Sequence, residues 1–265
     1  MITGDNTLTY NGTSVRGIGK INEDLTRNTT WTTNVGTGPN AFVNGAYVSA
    51  DRIGVSGQYS SWNGAANTDK FVVLNYDGTR DTSFARTATF NGIRVYVSIF
   101  IDNKWIVAGD FTTYGGATYN RILAFNTDGT LNTTFNTNIG SGFGGGAVFN
   151  LVKKSDTEII ATGAFSSLNG VTMNRIAVIN TDGTIPTNVF GTGFNGFSSG
   201  YVDVDASGNL YVAGAGPFTT YNTTNTSNNI ISLLPNGSVN NTFATGSGMQ
   251  TSTNTTAEAG GLFIR

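Results

Sequence analysis

Chemistry in this chain has to come from carboxylates, hydroxyls, amides and aromatic rings. Its 265 residues include no cysteine and no histidine, which removes disulfides, thiolate sites, imidazole metal ligands and Ser-His triads. Sixteen Asp and Glu remain. A glycosidase needs two of them flanking the scissile bond, spaced for acid and base or nucleophile roles. Asp77, Asp128 and Asp182 each precede a glycine and are accounted for by turn geometry. Asp5 and Asp110 follow a recurring glycine, but Gln58, Ala164 and Ala215 take that place elsewhere. A pair of carboxylates from different parts of the chain stays open. The run Asp203-Val204-Asp205-Ala206-Ser207-Gly208-Asn209 opens like an oxygen-rich calcium loop, yet it lacks the downstream Glu of the full motif. Asp102-Asn103 and Asp156-Thr157 stand at the same place in other copies, so a hairpin turn is expected there. No catalytic residue, metal or cofactor is assigned. Sequons such as Asn28-Thr29-Thr30 are numerous, as chance alone gives in a chain rich in Asn and Thr.

Aromatic residues recur in loops: Tyr10, Tyr59, Trp62, Phe111, Tyr114, Phe165, Phe218 and Tyr221. Such rings on one face could stack on sugars, with Asn and Thr as hydrogen-bonding neighbours. The competing reading is that residues recurring in every copy pack one copy against the next. Trp62 is the only tryptophan in these loops and breaks the repeat pattern, so it is expected to be an exposed contact. Tyr59, Tyr114 and Tyr221 complete the set of ligand-binding candidates. Arg16, Arg121 and Arg175 could look like an anion ring, but their register at a strand start favours bridging of neighbouring copies by binding carbonyls or turn carboxylates.

These residues are carried by a repeat, read most clearly in Lys104–Phe135, KWIVAGDFTTYGGATYNRILAFNTDGTLNTTF. A glycine ends the first half of each copy at Gly4, Gly57, Gly109, Gly163 and Gly214. A turn recurs at Asp77-Gly78, Asp128-Gly129, Asp182-Gly183 and Asn236-Gly237, with Glu23-Asp24 as the degenerate first copy. Arg16, Lys70, Arg121, Arg175 and Asn229 precede it; Trp31, Phe84, Phe135, Phe190 and Phe243 follow. A unit of about 53 residues with Asp-Gly and Asn-Gly turns and β-branched runs predicts four short strands per copy. In the third copy these fall at Ile93–Ile101, Lys104–Phe111, Asn120–Asn126 and Thr130–Asn136. Four-stranded antiparallel sheets repeated at this spacing are the blades of a β-propeller. The expected fold is all-β, a single domain over 1–265 with copies at about 1–52, 53–104, 105–158, 159–209 and 210–265.

The run GDFTTYGG…NRILAFNTDGTLNTTF resembles the delta-60 type repeat, a β-propeller repeat of unassigned function found in secreted bacterial proteins and some phage proteins. Residues 53–84, 105–135 and 159–190 match it well and residues 2–31 less so. The fifth copy is loosest, with Pro217 inserted and Asn229 where a basic residue usually stands. The resemblance implies a fold and no catalytic residues. The chain opens on Ile2-Thr3-Gly4, which reads as a second strand, and ends on Gly261-Leu262-Phe263-Ile264-Arg265, which reads as a first strand. The two ends are therefore expected to complete one composite blade, closing a five-bladed ring and removing free sheet edges.

Composition narrows the function. Only 11% of residues are charged, against the ~25% of average domains, and Thr, Asn, Ser and Gly supply the polarity instead. A net charge of −2 leaves no basic footprint for nucleic acid. The longest apolar stretch, around Val95–Ile101, is far too short to span a membrane. No signal peptide is visible, so work outside a cell would require a processed fragment or a particle. The expected function is a non-enzymatic binding or attachment module on a phage virion surface, or otherwise extracellular, contacting host cell-surface glycans. A structural or decoration subunit touching only other virion proteins is the alternative, with a homo-oligomer within the particle as one arrangement. A glycoside hydrolase or lyase is the third class, disfavoured by the thin supply of carboxylates.

Overall fold

Runs of four or five β-branched, aliphatic and aromatic residues, each closed by Asn or Gly, supply the strands. The computed structural model describes residues 1–196, 199–216, 218–225 and 229–243. Copies two to five each fold as an antiparallel three-stranded meander with the second strand in the middle. The strands are Val43–Val48, Arg52–Gly57 and Phe71–Asn75 in copy two, and Val95–Ile101, Lys104–Gly109 and Ile122–Asn126 in copy three. In copy four they are Val148–Lys153, Glu158–Gly163 and Ile176–Asn180, and in copy five Ser199–Val204, Leu210–Ala215 and Ile230–Leu233. In the first copy Ile2–Thr3 pairs with Ile18–Gly19. The chain divides into two compact units, one over Met1–Thr133 and one from Thr134 onward. The protein is mostly β.

The fourth strand expected at Thr130–Asn136 does not form. Leu131 makes a single bridge to Phe125, and the chain then enters a short helix, Thr133–Asn138. The same lone rung recurs as Ile21 to Arg27, Leu74 to Arg80 and Leu233 to Val239. In the first copy it leads into the helix Thr29–Asn34, whose N-cap Asn28 accepts from the Trp31 amide at 2.8 Å. High β propensity in the Thr-rich run is overridden because the chain must turn to drive Trp31 or Phe135 into the core. The strand expected at Gly261–Arg265 lies outside the described residues. So do Pro217 and residues 226–228 of the loop Gly216–Asn229.

The repeat markers turn out to be backbone requirements. An added Cβ on Gly57, Gly109 or Gly163 would sit 2.3, 2.3 or 2.2 Å from the carbonyl oxygen of Phe42, Arg94 or Ala147. Each of those carbonyls leads into a β-bulge, between Val43 and Gly45, Val95 and Val97, or Val148 and Asn150. The next marker, Arg16, Lys70, Arg121, Arg175 or Asn229, is left-handed in every copy, with φ of 54°, 59°, 67°, 71° and 64°. From Lys70 to Asn229 this residue closes the loop before the third strand. Its N–H donates to the carbonyl of Tyr59, Phe111, Phe165 or Phe218, and its own carbonyl accepts from the repeat glycine.

At the Asp-Gly turn, the Asp77 Oδ1 atom accepts from the Thr79 N–H and hydroxyl at 2.9 and 2.7 Å. Asp128 does the same with Thr130, Asp182 with Thr184 and Asp24 with Thr26. These turns also lock neighbouring copies within each unit. Asn34 Nδ2 donates to the Asp77 carbonyl at 2.9 Å, the Ala85 N–H to that of Asp128 at 2.9 Å, and Asn138 Nδ2 to that of Asp182 at 3.0 Å. In the first unit a core of Phe71, Phe84, Phe90, Trp105, Phe111 and Phe125 joins copies two and three. In the second, Ile160, Phe190, Phe194, Val212, Phe218 and Leu233 join copies four and five.

Candidate functional site

The structure does not place the predicted ligand-binding aromatics on a surface. Tyr59 and Trp62 are fully buried, and Tyr114 and Tyr221 are nearly so. The expectation of an exposed Trp62 is overturned. Trp62 also does not break the repeat. Each copy ends its loop in a two-residue turn with both φ positive: Asn11-Gly12, Asn63-Gly64, Gly115-Gly116, Asn169-Gly170 and Asn222-Thr223. The residue before it is Tyr10, Trp62, Tyr114, Leu168 or Tyr221. Trp62 is thus the second copy's version of a repeated bolt, and its ring meets Tyr59 edge-on at 5.7 Å. The Asn-Gly dipeptides held that alignment in the sequence.

The hydroxyls of the three tyrosines are spent internally, while the buried Trp62 indole N–H has no hydrogen-bond partner. The Tyr59 hydroxyl donates to the Val55 carbonyl at 2.6 Å, and that of Tyr221 to Gly237 at 2.7 Å. The Tyr114 hydroxyl accepts from the Ala88 N–H at 3.3 Å. Burial pushes all three phenols above their ordinary pKa. Phe111, Phe165 and Phe218 are equally buried, and Tyr10 donates to the Leu25 carbonyl at 2.6 Å.

Of the three arginines, Arg175 binds carbonyls of its own copy and not of a neighbouring one. The Arg175 guanidinium donates to the carbonyls of Ala164 and Phe165 at 3.2 and 3.3 Å, and Lys70 Nζ to that of Phe90 at 3.4 Å. Several carboxylates are committed to structure. Asp69 pairs with Arg86 at 3.1 Å and Lys70 at 3.3 Å, Asp81 pairs with Arg52 at 3.1 Å, and Asp110 accepts from the Ile93 and Arg94 amides. Asp205 is a turn residue, taking the Ser207 and Asn209 amides on Oδ1 and the Asn209 amide group and Tyr211 hydroxyl on Oδ2. Among the described residues no group of three or more Asp or Glu is placed to hold a metal ion, and no helix is long and apolar enough to cross a membrane.

Tyr76 is an aromatic that faces solvent beside a cleft, and sequence reasoning missed it. Tyr76 is 50% exposed, and Lys20 Nζ lies over its ring at 4.0 Å. The cleft, of about 440 Å³, is lined by Lys20, Asn28, Thr30, Trp31, Asn34, Tyr76 and Asp77. It shares Lys20, Asn28 and Tyr76 with an adjoining hollow lined by Ile21, Asn22, Glu23 and Asp24. The elements that build it are the first copy's turn and short helix and the second copy's turn. Asn28 fixes its floor, donating to Asn22 Oδ1 at 3.0 Å while capping the helix. Trp31 is 2% exposed, and its buried indole N–H has no hydrogen-bond partner. The hydroxyls and then the amides of Thr26 and Thr79 hold the Asp24 and Asp77 carboxyls below the usual range. Where copy two has Tyr76, the others have Glu23, Thr127, Thr181 and Pro235; where copy one has Lys20, the next three have Val73, Ala124 and Val178. Both residues leave the repeat, which is the only trace of the cleft in the sequence.

The family model described as "Domain of unknown function (DUF5122) beta-propeller" matches residues 102–135 and 154–185. Each segment carries its copy's repeat glycine, left-handed residue and Asp-Gly turn in register, as residues 57–78 of the second copy also do. No curated protein and no solved structure matches the chain. The matched segments are similar to a β-propeller repeat family of unknown function.

Proposed function

We propose that this chain is a non-enzymatic binding module that attaches to glycans through the cleft at Tyr76. The observation that carries the reading is the exposed Tyr76 ring beside amides, hydroxyls and carboxylates, at the place where two copies depart from the repeat. An aromatic face with convergent hydrogen-bonding groups suits a sugar ring. Leaving catalysis out is supported by the commitment of Asp69, Asp81, Asp110 and Asp205 to ion pairs and turns. The finer fold we favour is a delta-60 type, five-bladed ring whose first and last strands share a blade. Five equal lobes in electron-microscopy class averages are its expected signature, and a different number would refute it. A phage virion surface is the proposed setting, with the module carried in several copies on the particle; low charge, Thr/Asn/Gly richness and the family resemblance support it.

The test is binding of the purified protein to a glycan array and to candidate host cells, with Tyr76→Ala alongside. Because Tyr76 is half exposed, the variant is expected to fold and to lose binding. Undiminished binding by the variant would refute the assignment of this cleft. A second reading, a structural or decoration subunit, is favoured by Phe42 and Ile93, which are 41% and 57% exposed on the segments leading into the first strands of copies two and three. It predicts capture of a partner subunit, sensitive to Phe42→Ser and indifferent to Tyr76→Ala.

A further inference from the structure

We infer that the Tyr76 cleft selects an uncharged sugar and discriminates against acidic ones, an inference that rests on the binding reading above. The charges around the cleft are Lys20 against Glu23, Asp24 and Asp77, a net charge of −2. The one cation is held over the Tyr76 ring, 4.0 Å from its centre, and so is placed to stiffen the aromatic platform instead of meeting a ligand carboxylate. Asp24 and Asp77 each give Oδ1 to a threonine, while both carboxyls stand exposed on the cleft wall with acceptor capacity left over. Carboxylates of this kind accept from sugar hydroxyls and repel anions.

The second observation is independent of charge. The indole N–H of Trp31 is buried in the cleft lining with no partner, as are those of Trp62 and Trp105 away from the cleft, a state that costs free energy until an acceptor meets it. A hydroxyl or ring oxygen of a neutral sugar supplies that acceptor without bringing a negative charge toward Glu23, Asp24 and Asp77. Two net negative charges in a watery cleft disfavour an added anionic group, about five-fold in affinity at low salt.

The experiment is calorimetric titration of the full chain with neutral hexose oligosaccharides and with uronic-acid and sulfated counterparts of matched length, at low and moderate salt. Wild type, Tyr76→Ala, Trp31→Phe and Glu23→Gln are compared, each checked for an unchanged melting transition. Neutral ligands are expected to bind at least about five-fold tighter than acidic ones. Trp31→Phe keeps the ring and is expected to weaken neutral-sugar binding about ten-fold through the lost donor, while Glu23→Gln narrows the neutral-over-acidic preference. Equal or tighter binding of the acidic oligosaccharides, still abolished by Tyr76→Ala, would overturn the ligand class and leave the site standing. Binding that ignores Tyr76→Ala, or no binding to either series, would overturn the site itself.

Discussion

Gly129 and Gly116 offer a controlled test of what holds neighbouring copies together. Both sit in turns of the third copy with nearly the same left-handed backbone, φ of 87° and 82°. They differ in surroundings. A Cβ on Gly116 meets nothing within 4 Å, whereas one on Gly129 would lie 2.7 Å from the backbone nitrogen of Ala85, 2.9 Å from its carbonyl carbon and 3.0 Å from the nitrogen of Arg86. That contact is the lock in which the Ala85 N–H donates to the Asp128 carbonyl. Gly116→Ala therefore carries only the left-handed strain, about 1 kcal/mol. Gly129→Ala carries the same strain plus the displacement of a neighbouring main chain, roughly 1–3 kcal/mol more.

Urea unfolding followed by tryptophan fluorescence reads both variants in one unit, since Trp31, Trp62 and Trp105 all lie within Met1–Thr133. The difference between the two substitutions isolates the lock, because the strain cancels. If both midpoints shift equally, within about 0.5 kcal/mol of each other, the turn does not lock the copies and the account of the repeated Asp-Gly is wrong.

Two further outcomes follow from the same geometry. Trp62→Ala removes a fully buried ring and is expected to destabilise the first unit by about 3–5 kcal/mol; a fluorescence-monitored melt close to wild type would contradict its role as a bolt. Thr130→Val removes the hydroxyl that is the main cause of the lowered Asp128 pKa. Because that pKa is depressed in the folded state, the turn's contribution is present above the unfolded carboxylate value and is lost as pH falls through the folded one. The substitution should move the Asp128 carboxyl titration, read by carbon NMR, back toward the ordinary range and shrink the acid-dependent loss of stability that this turn contributes; an unmoved titration would sink the argument.

The repeat and the all-β class were legible because each marker answers a local backbone demand. A bulge carbonyl excludes any side chain at Gly57, Gly109 and Gly163, and a Thr following Asp-Gly completes a turn, so selection leaves these residues in register. The left-handed residue was legible only as a position. Arginine and lysine do not advertise positive φ, and Asn229, which looked like a departure, is the residue type that tolerates that conformation best. It also turns its side chain inward to accept from the Phe218 N–H at 2.8 Å. The fourth strand was misread because propensity in Thr130–Asn136 says nothing about where Phe135 must go. Trp62 was misread because its loop was aligned on residue type instead of on the two-residue turn that follows it.

The cleft was illegible for a different reason. Lys20 and Tyr76 are separated by more than a whole repeat, and neither belongs to a motif; only the packing of one copy's turn against the next brings the ammonium over the ring. That separation has a consequence for where function can reside in such a chain. The recurring polar groups are committed to the backbone: the hydroxyls of Tyr59 and Tyr221 to carbonyls and that of Tyr114 to an N–H, the turn aspartates' Oδ1 atoms to threonines, the loop asparagines Asn40, Asn91 and Asn195 to the amides of the loops facing them. A residue that must hold the same backbone in several copies keeps only part of its capacity for a ligand, as Asp24 and Asp77 do with Oδ1 committed. Ligand contacts are then to be sought at positions where one copy differs from its siblings and the difference is exposed. Tyr76 and Glu23, standing where other copies have Thr127, Thr181 and Pro235, meet both conditions, and they face the same cleft.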